Sequence, residues 1–138
     1  MKYRQYRDTD IQLSQLGFGC MRFPVLDGDQ GRIDKASATE MLDYAIQNGV
    51  NYLDTAYFYH KGQSESFVGE YLTAAGVREN IYLATKLPPA VAKEKGAKNV
   101  LEDQLNKLQT DYLDFYMFHQ INQASWKIIK EYDLLDFM

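Results

Sequence analysis

The sequence predicts an α/β fold built on a parallel sheet, and three observations carry that expectation. Apolar runs of strand length alternate with segments of helical periodicity along the chain. Turn and cap residues such as Asn48-Gly49, Gly76 and Pro88-Pro89 separate them. Polar residues able to do chemistry fall where the apolar runs end, which in parallel α/β proteins is where ligands bind.

Residues 2–13 read as a β-hairpin, with the polar turn Asp8-Thr9-Asp10 between two short stretches. Leu16 to Cys20 is the first strand of the sheet, its two glycines permitting close approach to the backbone. After a loop rich in Asp and Gly, Ser37 and Glu40 form a capping-box pattern for the first helix. Met41, Leu42, Ala45 and Ile46 repeat on one face, and Asn48-Gly49 ends it. The second strand is Val50 to Thr55. Ser64 is the predicted cap of a helix carrying Phe67, Val68, Tyr71, Leu72 and Ala75, stopped by Gly76. The third strand, Ile81 to Lys86, ends at Pro88-Pro89. Val100, Leu101, Leu105 and Leu108 mark a third helix. Tyr112 to Phe118 is almost wholly apolar and is expected to be a strand buried on both faces. A fourth helix starts near Ser125 and carries Trp126, Ile129 and Leu134.

Composition narrows the function. At 138 residues, 46% hydrophobic and 25% charged, this is an ordinary globular domain. A net charge of -4 lacks the footprint of a nucleic-acid binder, so no nucleic-acid partner is expected. No apolar run approaches the roughly 18 residues of a membrane span. The polar first ten residues hold no signal-peptide core, which makes the cytoplasm the expected location. Cys20 is the single cysteine, so neither an intrachain disulfide nor a thiolate metal cluster can form.

Two parallel-sheet architectures compete. A doubly wound sheet normally carries G-x-G-x-x-G after its first strand; Gly17 and Gly19 fit, but Arg22 occupies the last position. The other is a (β/α)8 barrel, typically about 250 residues long. This chain has about four of the eight units.

The strand ends place Asp54, Lys86 and His119 on one rim, with Tyr59 in the loop after Asp54. Each has a bland explanation, whether Asx turn, aromatic packing, solvated strand end or core-edge histidine. The four together are much less easily accidental. A tyrosine, with a reference pKa of about 10, needs a nearby cation to give up its proton near neutral pH. Lys86 is the candidate cation, Asp54 its partner, and His119 a second donor toward a substrate oxygen. That set can protonate a carbonyl as it is reduced.

Leu16-Gly17-Phe18-Gly19-Cys20-Met21-Arg22, Asp54-Thr55-Ala56 with Tyr59, Gln63-Ser64-Glu65, Ala84-Thr85-Lys86 and Leu113 to His119 resemble the aldo-keto reductase family in order and spacing. The resemblance covers essentially the whole chain. It implies a (β/α)8 TIM-type barrel closed at the bottom by the hairpin, of which residues 16–138 are βα units one to four. It implies reduction of a small aldehyde or ketone by hydride from NADPH or NADH, with Asp54, Tyr59, Lys86 and His119 catalytic. In such proteins Cys20, Met21 and Asp54 would lie against the cofactor, Cys20 as a packing residue rather than a nucleophile. His60-Lys61-Gly62 departs from the common pattern, and His60 reads as a solvated loop residue ahead of the alternative, a residue reaching the substrate pocket. The sequence is also similar to a bacterial branch that often carries a C-terminal ferredoxin-like cluster, which a chain with one cysteine cannot hold.

The resemblance further implies that most of the cofactor site, including the phosphate grip, belongs to a second half that these residues lack. The expectation is a truncated reductase, with three routes to completion or survival: a fragment of a longer chain, self-association of two copies, or a complementary half-barrel chain. The competing reading is a non-catalytic half-barrel subunit or interaction module, or an inactive fragment.

Overall fold

A computed structural model describes residues 1–138. Two antiparallel strands, β1 (Tyr3–Gln5) and β2 (Gln12–Ser14), form the hairpin, pairing Tyr3 with Ser14. The sheet follows: β3 (Phe18–Gly19), β4 (Tyr52–Asp54), β5 (Tyr82–Leu87) and β6 (Phe115–Phe118), all parallel and in the spatial order β3-β4-β5-β6. The helices between them are α1 (Lys35–Gln47), α2 (Ser64–Ala75), α3 (Pro89–Lys95) and α4 (Ala97–Leu108). Beyond β6 come α5 (Gln123–Glu131) and α6 (Leu134–Phe137). A doubly wound sheet reverses its strand order at a switch point, whereas a barrel adds each strand beside the last. The unbroken order here is that of a barrel, and the chain is a partial (β/α)8 barrel.

The strands alternate as half-buried sheets must. Leu53, Leu83, Thr85 and Leu87 turn toward the helices and are completely buried. There they meet Leu42 of α1, Val68 and Leu72 of α2, and Val100 and Leu108 of α4, also closed to solvent. The opposite face carries Tyr52, Asp54 and Lys86, all half-buried. The hairpin sits under the amino ends of these strands. Asn51 clamps it there, accepting from Ser14 N–H at 2.8 Å and donating to the Gln12 carbonyl at 2.8 Å. Tyr6 packs edge-on against Phe115 of β6 at 5.2 Å. No helix is long and apolar enough to cross a membrane.

Several local expectations need correction. The first helix is capped by Asp34, whose carboxylate accepts from Ser37 N–H, rather than by Ser37. An aspartate at that position also puts negative charge at the helix N-terminus, which the helix dipole favours. Ser64 does not cap α2 either; its buried hydroxyl bonds the Thr55 hydroxyl at 2.9 Å and the Cys20 carbonyl at 3.1 Å. Pro88-Pro89 stops β5 but also starts a helix, because Pro89 occupies the first helical position, where its missing N–H costs nothing. The helix expected near Ser125 is α5, which begins at Gln123 behind an Asn122–Ser125 capping box, and Leu134 belongs to the separate short α6. Finally, β6 is half-buried at all four positions rather than buried on both faces. It pairs only with β5, so one side of it has no neighbour.

Candidate active site

The site lies where β4, β5 and β6 end. Lys86 is the fifth residue of β5, on the face away from the helices, and its ammonium makes three bonds. It donates to Asp54 Oδ1 at 2.6 Å, to the Thr55 carbonyl at 2.8 Å and to the Tyr59 hydroxyl oxygen at 3.2 Å. A lysine has three N–H groups and no acceptor. All three are used, so the ammonium is fixed in place. Lys86 and Asp54 are only 14% and 27% exposed, so water screens this pair far less than a surface ion pair. The cation also lies 4.8 Å from the centre of the Tyr59 ring. Because Tyr59 accepts from Lys86, its own O–H proton stays free to be donated elsewhere.

His119 follows β6 and extends its ladder, its N–H bonding the Leu87 carbonyl at 2.9 Å. Its ring stands edge-on to Tyr59, with centroids 5.8 Å apart, and Phe58 covers it at the same distance. Burial holds the imidazole pKa below its ordinary value, and the Lys86 charge lowers it further, against an opposing pull from Asp54. The ring is therefore neutral near neutral pH. Its Nδ1 is buried and has no partner within the protein.

The structure thus brings Asp54, Tyr59, Lys86 and His119 together. Gly19 lies beside Asp54 in the β3–β4 register, with no atom within 4 Å of where a Cβ would sit. Cys20 is completely buried and desolvation pushes its thiol pKa far up, so the side chain is a packing group. Met21 beside it is 53% exposed.

Two parts of the site differ from or add to what the sequence predicts. His60, expected to be solvated, is only 3% exposed, because the chain between Phe23 and Ile33 folds back over it. Nothing local to residue 60 signals that long-range contact. The other is a buried polar network on the helix side of β5. Glu65 Oε1 accepts from Thr85 Oγ1 at 2.7 Å and from Gln104 Nε2 at 2.6 Å. Gln104 also donates to the Lys86 carbonyl at 3.1 Å and accepts from the Tyr116 hydroxyl at 2.7 Å, which pins the backbone carrying the ammonium. Gln104 lies four residues after Val100 on the apolar stripe, a placement that does mark it as buried.

Glu65 Oε2 has no partner, and desolvation raises this carboxyl above its ordinary value against the two hydrogen bonds. Between the unfolded value near 4.5 and the raised folded one, the native state keeps a proton that the unfolded chain releases. The contribution of Glu65 to stability therefore falls as pH rises through that window. Glu65→Gln removes this dependence. Thermal melts from pH 5 to pH 8 should show the variant gaining on the wild type as pH rises; a constant difference would mean that Glu65 does not titrate there.

The sequential parallel strand order and the hairpin define the class of fold, a partial (β/α)8 barrel, and the Lys86–Asp54–Tyr59 cluster stands at its carboxyl rim. The aldo/keto reductase family profile matches residues 15–136, and the chain belongs to that family. It is 33% identical to Protein tas of Escherichia coli (strain K12), over 86% of this chain and 38% of that protein. It is likewise 33% identical to the oxidoreductase YqkF of Bacillus subtilis, over 86% of this chain and 39% of the relative. Among solved structures it resembles the holo form of aldo-keto reductase AKR11C1 from Bacillus halodurans, with TM-score 0.70 and 34% identity. That match covers 98% of this chain and 46% of the other. An aldo-keto reductase from Klebsiella pneumoniae, solved in complex with NADPH, matches with TM-score 0.65 and 25% identity over 87% of this chain and 41% of its own. The chain spans less than half the length of these relatives.

Proposed function

We propose that these residues form the proton-donating side of an NAD(P)H-dependent reductase of aldehydes or ketones. The carrying observation is the Lys86 ammonium, whose three N–H groups are committed to Asp54, the Thr55 carbonyl and the Tyr59 oxygen. In this reading Tyr59 gives its free proton to the carbonyl oxygen as that oxygen gains negative charge. Lys86, oriented by Asp54, stabilises the phenolate left behind. His119, neutral and edge-on to Tyr59, orients and polarises the carbonyl.

Bound NADPH or NADH supplies the hydride. The open space at Gly19, the exposed Met21 and the partly exposed Asp54 carboxylate fit a flat group laid against this rim. Cys20, Met21 and Asp54 would hold it, Cys20 through its backbone. Residues 2–13 serve as the bottom plug and 16–138 as βα units one to four, the N-terminal half of the barrel. The remaining cofactor contacts then come from outside these 138 residues, whether from chain continuation, a second copy or a complementary half-barrel chain.

The test is a fluorescence titration with NADPH, followed by turnover of a small aldehyde. Saturable binding in the micromolar range is the result expected of the completed barrel, with Tyr59→Phe binding as tightly but losing turnover by about 10²-fold or more. The unpaired sides of β3 and β6 favour a second reading, a half-barrel interaction module without catalysis. A folded chain that binds a protein partner but shows no NADPH affinity would establish that instead.

A further inference from the structure

The turn after Tyr59 is conformationally costly. His60 and Lys61 both lie in the left-handed region, at φ 52° each, and Gly62 continues at φ 85°. Only glycine enters that region freely, so two successive non-glycine residues persist there only where their surroundings hold them. Lys61 does reach Asp29, at 2.7 Å, but with side chains 67% and 40% exposed that pair is a weak tether.

The stronger tether is His60. Its Nε2 lies 3.1 Å from the Phe23 N–H and accepts from it, which leaves Nδ1 as the donor toward the Gln30 carbonyl, also at 3.1 Å. The Phe23 ring lies against the imidazole at 5.7 Å and meets Phe67 of α2 edge-on at 5.0 Å. One buried side chain therefore fastens the Tyr59 turn to the excursion that follows β3. Ser64 secures the far end of the same turn to the Cys20 carbonyl.

We propose that His60 is a positioning residue for Tyr59: by bridging Phe23 and Gln30 it locks the left-handed turn that aims the phenol at Lys86 and the substrate. This rests on the proton-donor reading above. A proton donor misplaced by about 1 Å can lose on the order of 10²-fold in rate.

The experiment compares His60→Ala, His60→Asn and His60→Gln in the full chain. Glutamine can place its amide oxygen where Nε2 stands and accept from Phe23; asparagine reaches only the Nδ1 position. His60→Ala and His60→Asn should lower kcat by tenfold or more with NADPH affinity unchanged, and His60→Gln should recover most of it. An unchanged kcat in folded His60→Ala overturns the proposal. So does a loss shared equally by all three variants and matching their loss of folded protein.

NMR separates this inference from the functional reading. If the completed barrel shows no turnover, the functional reading fails, while the Tyr59 ring resonances still decide the geometry. They should shift in His60→Ala and return toward wild type in His60→Gln. Unmoved Tyr59 resonances, with Phe23 amide exchange no faster, overturn the positioning role.

Discussion

In the proposed reductase, with its barrel completed, Lys86→Met should abolish most turnover while leaving the fold and NADPH affinity in place. The argument is electrostatic. A unit positive charge 3.2 Å from a developing phenolate contributes about 5 kcal/mol at an effective dielectric of about 20. Asp54, bonded to the same ammonium at 2.6 Å, offsets part of that. If about half survives, its loss corresponds to roughly 10²-fold in kcat, taking about 1.4 kcal/mol per factor of ten. Methionine keeps the length and apolar stem of lysine, so steric loss is small. Circular dichroism and a thermal melt establish that the variant folds. Because Tyr59 and Lys86 act as one unit in this scheme, combining Lys86→Met with Tyr59→Phe should cost little more than either alone. A Lys86→Met protein that retains activity within twofold of wild type would remove Lys86, and the scheme with it, from the chemistry.

The site was legible because a parallel sheet turns sequence into position. Once an apolar run is recognised as a strand, its last polar residue must stand on the ligand-facing rim. That rule picks out Asp54, Lys86 and His119 as rim residues, and their convergence around Tyr59 follows from the register of β4, β5 and β6. The residues that escaped are those whose surroundings come from elsewhere in the chain. His60 looks like a loop residue until the segment from Phe23 to Ile33 closes over it. Ser37 fits a capping box, but Asp34 three residues earlier makes the better cap, and competition between two adequate signals is not resolved by either motif alone. The short helix α3 was hidden because proline both ends strands and begins helices. The half-burial of β6 reflects what lies beside a strand, which its own apolar composition does not encode.

The largest stability effect is expected at Gly69, where α2 crosses α4. A Cβ there would run into the Lys107 carbonyl oxygen and lie 2.6 Å from the Leu108 carbonyl carbon and 2.7 Å from the Leu108 Cα. All three are backbone atoms, so no rotamer change relieves the contact and the helices must separate. They are held by Val68, Leu72 and Leu108, each at most 1% exposed, and by the Glu65–Gln104 bond at 2.6 Å. Overpacking of this kind costs about 1–3 kcal/mol and at times more. For Gly69→Ala, with backbone on every side of the added methyl, the upper end is the expectation, a Tm lowered by roughly 10 °C for a chain of this size. Gly19→Ala is the control, since a Cβ at that position meets nothing within 4 Å. It should melt close to wild type. Any shift of α4 also moves Gln104, and with it the Lys86 carbonyl that Gln104 holds. Gly69→Ala should therefore weaken activity even below its melting temperature, linking a helix crossing to the placement of the ammonium. A Gly69→Ala protein that melts within about 2 °C of wild type would show that the two helices can part at little cost and that their close approach does not fix the site.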